Sequence, residues 1–156
     1  MFDQVFAKIY MKFKLNFYRE VATASQGKSD SLTAMESFCM ETIMALGEPT
    51  VNAFAQFLQI SSPNATYKIN HLIKKGYLTK VRSENDRRAY HLHVTPKYVV
   101  QYNNTNHYFL DVMSRIKDRF TPEELESFQH ILHIVNDELM NDLPNPDTQI
   151  YTGKIK

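Results

Sequence analysis

The spacing of apolar positions along the chain predicts a mainly helical protein with one short β-hairpin. Most apolar side chains recur three or four residues apart, as one face of an α-helix requires. Residues 77–82 and 90–94 instead alternate polar with apolar side chains, so they predict two strands joined by the loop 83–89. The predicted helices are 3–24, 34–46, 51–58, 62–75, 96–119 and 122–139, and the tail from Leu143 lacks a regular pattern. The fold class is therefore mainly α with a small hairpin (α+β).

Helix ends in this sequence carry recognisable capping residues. Thr33 with Glu36, and Thr121 with Glu124, each have the spacing of a capping box, in which both residues satisfy backbone N–H groups of the first turn. Gly47 is the expected C-cap of the second helix. The other N-caps predicted from the sequence are Thr50, Ser61 and Thr95, the last followed by a proline in the first turn.

The fourth helix has one apolar and one polar face. With Ile69 placed in the core, a rotation of about 100° per residue assigns its neighbours to the two faces. The residues beside Ile69 are Ala65, Leu72 and Ile73, and those expected to point away are Asn64, Tyr67, His71, Lys74 and Lys75. An exposed face of this composition suits a polar or charged partner better than an apolar one.

Charge is unevenly distributed along a nearly neutral chain. The 156 residues have a net charge of +1, with 43% apolar and 22% charged residues, as in an ordinary globular domain. Residues 63–90 contain seven Lys or Arg against two acids, whereas residues 120–147 contain seven acids and no Lys or Arg. This division indicates a local site for a polyanion in the middle of the chain.

Several other classes of protein are not expected. No apolar run reaches the roughly 18 residues that cross a bilayer, no signal-peptide pattern is present, and the single cysteine, Cys39, cannot form an internal disulfide, so a cytoplasmic protein is expected. The sequence has no Gly-rich phosphate loop, no His-Glu-x-x-His and no nucleophile motif. We therefore expect a protein that is not an enzyme and needs no cofactor.

The order of elements predicts a winged helix-turn-helix. A short helix turns tightly into a second one and a hairpin follows at once, and in this arrangement the second helix enters the DNA major groove. Asn64 can pair with adenine, and Ser62 can donate to a phosphate at the helix N-terminus. Tyr67, Lys68 and His71 can reach phosphates or base edges.

The segment GEPTVNAFAQFLQISSPNATYKINHLIKKGYLTKVRSENDRRAYHLHVT resembles the core of the MarR family of bacterial transcriptional regulators. The matching elements are Leu72, Gly76, Asp86-Arg87-Arg88 and Leu92-x-Val94-Thr95, and helices on both sides extend the resemblance over nearly the whole chain. The pair Pro96-Lys97 departs from the family, which usually has a glycine there.

The resemblance implies a homodimer that binds a pseudo-palindromic duplex and acts most often as a repressor released by an effector. It implies that Arg88 enters a minor groove from the wing tip, that Asp86 braces the wing, and that Arg82 and Arg87 meet phosphates or that acid. The residues expected to contact DNA are Ser61, Ser62, Asn64, Thr66, Tyr67, Lys68, His71, Arg82, Arg87 and Arg88. Residues 31–99 would form the DNA-binding domain, 1–30 and 100–143 the dimerisation region, and 144–156 an irregular tail.

Two further sites and one other use of the fold stay open at this point. An apolar or aromatic effector could occupy a cavity lined by Phe13, Phe17, Met35, Phe38, Cys39 and Phe109, although aromatic residues at helical spacing also form cores. A zinc-sensing alternative would use His107 and Asp111 with Glu36, Cys39 and Glu41, but a second histidine at 111 is missing, so no metal is expected. A winged helix used only for protein contacts is the remaining alternative.

Overall fold

A computed structural model describes residues 1–24, 26, 30–86 and 88–146 of the chain. Within these residues, six α-helices surround one antiparallel two-stranded sheet. The elements are α1 (Phe2–Ala24), α2 (Ala34–Ala45), α3 (Val51–Phe57), α4 (Ser62–Lys74), β1 (Leu78–Arg82), β2 (Tyr90–Val94), α5 (Pro96–Arg119) and α6 (Pro122–Ile134). The mainly α architecture with a hairpin wing is therefore confirmed.

Both predicted capping boxes are present. The Thr33 hydroxyl accepts the Glu36 N–H at 3.2 Å, and the Glu36 carboxylate accepts the Thr33 N–H at 2.7 Å. Thr121 and Glu124 repeat the arrangement at 3.3 and 2.9 Å. Local hydrogen bonds thus fix where α2 and α6 begin.

The core lies between α2, α3, α4, the hairpin and the start of α5. The predicted apolar face of α4 is confirmed, because Ala65, Ile69 and Leu72 are fully buried and Ile73 packs against them. Leu92 of β2 is equally buried. The other core residues are Leu32, Cys39, Met40, Ile43, Met44, Phe54, Ala55, Tyr77, Leu78, Tyr98 and Tyr102.

The start of α5 contains Pro96-Lys97, where the MarR family that the sequence resembles usually has a glycine. Thr95 is the N-cap residue as predicted, but its hydroxyl makes no capping bond and donates instead to the Gly76 carbonyl at 2.7 Å. The helix still begins at Pro96, whose fixed φ suits a first helical turn. The departure in sequence therefore does not displace the helix.

The end of the last helix differs from the prediction of one helix to Leu139. After Ile134 the chain forms a π-helical segment over Val135–Leu139. Periodicity does not distinguish the two helix types over so short a stretch, since both keep apolar side chains three to five residues apart. Residues 144–146 have no regular structure, and the rest of the predicted tail, 147–156, lies outside the described residues.

The helices outside the core bury little of their apolar surface. Val21 is the buried residue of α1, and α6 has none. None of the helices in the described part of the chain is long and apolar enough to cross a membrane.

Candidate DNA interface

A tight turn over residues 58–61 joins α3 to α4, and the two helices pack against each other. Ala55 accepts the Ile60 N–H at 3.0 Å, and Gln59 takes a left-handed conformation with φ of 54°. The Ser61 hydroxyl then caps α4 by accepting the Asn64 N–H, although this contact is long, at 3.4 Å. Glycine usually occupies a left-handed position of this kind, but here the position is Gln59. The sequence therefore had no glycine to mark this turn.

One face of α4 presents polar side chains to solvent, as predicted. Ser62, Asn64, Tyr67 and His71 are exposed, and Tyr67 keeps 72% of its surface. The Tyr67 and His71 rings lie parallel, with centroids 6.4 Å apart. Thr66 and Lys68 are half-buried at the edge of this face. The positive end of the helix lies beside Ser62, where an anion is favoured.

Lys75 does not point to solvent, so that expectation is wrong. Its ammonium donates to the Glu36 carboxylate at 2.7 Å and to the Ser31 carbonyl at 2.8 Å, and its side chain is only 14% exposed. A lysine at a helix end has a long enough side chain to fold back on a neighbouring element, and a helical projection does not take this reach into account. The contact ties the end of α4 to the start of α2.

Glu36 also engages a residue of the exposed face. Its other oxygen lies 2.7 Å from Nδ1 of His71, which leaves Nε2 as the ring nitrogen available for another contact. Burial alone would raise the pKa of Glu36, but hydrogen bonds from Lys75, Thr33 and His71 lower it to about 2. Glu36 is therefore a carboxylate at neutral pH. The sequence indicated its capping role and made it a metal candidate, but it did not indicate the contacts with Lys75 and His71.

A second contact joins the polar face to the hairpin. The Lys80 ammonium of β1 donates to the Asn70 side-chain oxygen at 3.0 Å. Neither residue was among those predicted for the site, since nothing in their spacing distinguishes them from ordinary surface residues. The contact fixes the hairpin against α4.

The wing tip is closed by hydrogen bonds around Asp86, made by both its side chain and its backbone. The Asp86 carboxylate accepts the Arg88 N–H at 2.9 Å, and its carbonyl accepts the Ala89 N–H at 2.9 Å. Ser83 donates its N–H to the Ala89 carbonyl at 3.0 Å. Arg88 is exposed at this tip, whereas Arg87 lies outside the described residues.

The base of the wing is anchored to the segment between α2 and α3. Leu92 donates its N–H to the Pro49 carbonyl at 2.9 Å, and Thr50 forms an isolated bridge with His91. The His93 ring lies 2.8 Å from the Glu48 carboxylate. The pairing of the Pro49-Thr50 segment with β2 was not predicted, because a single bridged residue pair leaves no alternating pattern in the sequence. Arg82, at the outer end of β1, is exposed and pairs across the sheet with Tyr90.

The residues considered for zinc do not come together. Cys39 is buried in the core, Glu36 is bound to Lys75, and Nδ1 of His107 lies 2.7 Å from the Asn104 carbonyl. No group of three His, Cys, Asp or Glu that could hold a metal exists among the described residues. The zinc-sensing alternative gains no support.

Two cavities adjoin the predicted effector residues. The first, which we call the aromatic cleft, lies between α1, α2 and α5, has a volume of about 460 Å³ and includes Phe13, Phe17 and Phe109. A second cavity of about 390 Å³ includes Phe17 and Phe38. Met35 and Cys39 line neither cavity: the first is an exposed residue and the second is a core residue.

Comparison with known proteins finds a family match over the central part of the chain. A sequence model of the MarR family matches residues 32–90, which contain α2 to the first residue of β2. Over these residues the chain is similar to the MarR family. The curated proteins that it resembles are transcriptional regulators, in agreement with the expectation that the chain is not an enzyme.

Individual relatives agree with this placement. The chain is 27% identical over 88 residues to the HTH-type transcriptional regulator BilQ of Clostridioides difficile, a match covering 56% of this chain and 60% of BilQ. It is 30% identical over 64 residues to the uncharacterized HTH-type transcriptional regulator YpoP of Bacillus subtilis, covering 41% and 45% of the two chains. The match thus spans about half the length of these curated relatives.

Among solved structures, Streptococcus pneumoniae FabT in complex with DNA has a similar fold. The TM-score is 0.60 with 21% identity, over 92% of this chain and all of the FabT chain. At this level of identity the likeness establishes the fold, and the role of each side chain has to be argued from its own position.

Proposed function

We propose that this chain is a homodimeric, sequence-specific regulator of the MarR family that binds double-stranded DNA and acts as a repressor. The observation that carries the proposal is the exposed polar face of α4, with Asn64 and Tyr67, standing beside a wing that ends in exposed Arg88. A major groove about 12 Å wide admits such a helix, and amide and hydroxyl groups can read base edges there.

The neighbouring elements suit the two kinds of contact that DNA offers. The N-terminus of α4 and Ser62 can hold a phosphate, which fixes the position of the helix but does not read sequence. Asn64, in the first turn of α4, can pair with adenine. Arg88 can enter an adjacent minor groove, where the negative potential is strongest over A·T pairs. FabT, a structural neighbour, was solved in complex with DNA, which supports this use of the fold.

Exposed apolar side chains on the outer helices support the homodimer. Phe2, Phe6 and Ile9 of α1 keep 78%, 55% and 49% of their surface, and Phe128 and Ile131 of α6 keep 46% and 55%. Large apolar patches of this kind usually mark interfaces between proteins. Residues 1–30 and 100–143 would then form the dimerisation region, residues 31–99 the DNA-binding domain and residues 144–156 a tail.

Release by an effector follows from the position of the aromatic cleft. The cleft is bounded by α1 and α5, which belong to the proposed dimerisation region, and by α2, which belongs to the proposed DNA-binding domain. A ligand between these helices would change the angle between them and so the spacing of the two wings. Such a ligand can act only by binding the two arrangements with different affinity.

Selection from a random duplex pool tests the proposal. The purified chain is expected to enrich a pseudo-palindrome whose half-sites lie about 34 Å apart, one helical turn, and to bind it as two chains per duplex in analytical ultracentrifugation. The proposal fails if the chain is monomeric or if no sequence is enriched over the starting pool.

A further inference from the structure

The aromatic cleft contains an acidic residue. Five of its lining residues are aromatic: Tyr10, Phe13, Phe17, Tyr108 and Phe109. Glu41 of α2 lines the same cleft and also the neighbouring apolar cavity, so apolar surroundings lie on both of its sides. A carboxylate is costly to keep in such a place unless it is paired.

Glu41 lacks a cationic partner within the described part of the chain. No Lys, Arg or His there lies within ion-pairing distance of its carboxylate, and Asn106 is its polar neighbour. Burial raises the pKa of Glu41 to about 7, against the opposing effect of Asn106. The position therefore holds a carboxyl group whose charge would be stabilised by a cation supplied from outside.

We propose that the aromatic cleft binds an organic monocation, an aromatic amine in its protonated form, with Glu41 as the counter-ion. The rings add to this preference, because the faces of Tyr and Phe attract cations. One cation already uses such rings at this cleft: the Lys14 ammonium lies 5.1 Å from the Tyr10 centroid and 5.8 Å from that of Tyr18. An anionic ligand beside Glu41 would be repelled by its carboxylate, whereas the ammonium of Lys14, which lines the same cleft, would attract it. The relative affinity for a cation and an anion therefore reports which of the two charges dominates the cleft.

The other ionisable groups of the cleft are Lys14 and Tyr10 on α1 and Tyr108 on α5. The Lys14 ammonium lies over Tyr10 and Tyr18, and the pKa of Lys14 is raised by a hydrogen bond with Tyr18, so it keeps its charge at neutral pH. Charge at the cleft therefore changes near neutrality through Glu41. The affinity for an amine is expected to rise as pH increases through about 7, since the carboxylate form binds it.

Calorimetry on the purified chain, without DNA, tests this site with three probes of similar shape. These are 2-phenylethylamine, which is cationic, 2-phenylethanol, which is neutral, and 3-phenylpropionate, which is anionic. The amine is expected to bind at least about tenfold more tightly than the other two. Glu41→Gln is expected to abolish that preference and the pH dependence. Glu126→Gln, which removes the same charge from an exposed position on α6, is expected to retain both.

Three results would overturn the proposal: no binding of the amine at millimolar concentration, equal or tighter binding of the anion, or an unchanged preference in Glu41→Gln. Binding of an amine by the cleft does not depend on the proposed function. Only its consequence, release of the chain from DNA, rests on that function. Duplex binding by Glu41→Gln without ligand reports on that function separately. If Glu41→Gln still binds DNA but loses the preference for the amine, both the ligand proposal and the proposed function are supported. If the wild-type chain does not bind DNA, only the proposed function is contradicted.

Discussion

The ammonium group of Lys75 lies 2.7 Å from Oε2 of Glu36, and both side chains are only 14% exposed. This pair joins the last turn of α4 to the first turn of α2. Because His71 on the exposed face of α4 contacts the other oxygen of the same carboxylate, one residue of α2 holds two positions of the helix proposed to enter DNA. The orientation of α4 thus depends on Glu36 as well as on the apolar core.

Replacing Glu36 with Gln is expected to lower the free energy of unfolding by about 2 kcal/mol. The amide keeps a capping acceptor but leaves the partly buried Lys75 ammonium without its counter-charge. Glu124→Gln is the matched control, because Glu124 occupies the same capping-box position at the exposed start of α6. Its expected cost is about 0.5 kcal/mol. Equal losses in urea denaturation would show that the Lys75 contact contributes nothing.

Stability should depend on pH in opposite directions through two acids of α2. The folded-state pKa of Glu36, about 2, lies below its ordinary value of 4.5, so its contribution is complete above pH 4.5 and is lost as pH falls towards 2. The folded-state pKa of Glu41, about 7, lies above 4.5, so stability is lost as pH rises from 4.5 to 7.

Urea denaturation at a series of pH values measures both effects. Glu36→Gln is expected to reduce the decline on the acid side, and Glu41→Gln the decline between pH 4.5 and 7. A wild-type stability that rises steadily from pH 4.5 to 7 and is unaffected by Glu41→Gln would contradict the account of that residue.

Asn64→Ala is expected to relax sequence preference at one base pair of each half-site. An amide that pairs with adenine contributes about 1–3 kcal/mol of discrimination, which its removal would eliminate. Fluorescence anisotropy with all four base pairs at that position measures the effect. Asn103→Ala, an exposed asparagine of α5 outside the interface, is the control. The same base preference in both variants would exclude the proposed role of Asn64.

Arg88→Ala is expected to weaken binding by about tenfold, or ~1.4 kcal/mol, on duplexes with AT-rich flanks, and by less on GC-rich flanks. The reason is that a narrow minor groove concentrates negative potential where the wing tip would insert. Arg115→Ala, which removes an exposed arginine of α5, controls for net charge. If the two variants bind every duplex equally well, the wing does not enter the minor groove.

Local rules predicted much of this fold from the sequence. Interactions within a few residues produce a characteristic spacing in the sequence. Such interactions underlie the capping boxes at Thr33 and Thr121, the buried face of α4 and the alternation of β2. The contacts that were missed join distant segments. Lys75 and Glu36, or Leu92 and Pro49, meet only after the elements pack, so no local pattern indicates them.

The site was less predictable than the fold for the same reason. The sequence indicated most residues of α4 that face solvent. It did not indicate that Nδ1 of His71 contacts the Glu36 carboxylate, or that the Asp86 carboxylate accepts the Arg88 N–H. Glu41 received attention only as one of several metal candidates. Its position between two apolar cavities becomes visible only when α1, α2 and α5 are placed together.

The salt dependence of operator binding tests the central claim most directly. Each phosphate neutralised by the protein contributes about −0.9 to the slope of log K against log salt concentration. A homodimer that places two α4 helices and two wings on a selected duplex is expected to give a slope steeper than about −3. A slope near zero, measured on a folded dimer, would contradict the proposal that this surface binds DNA.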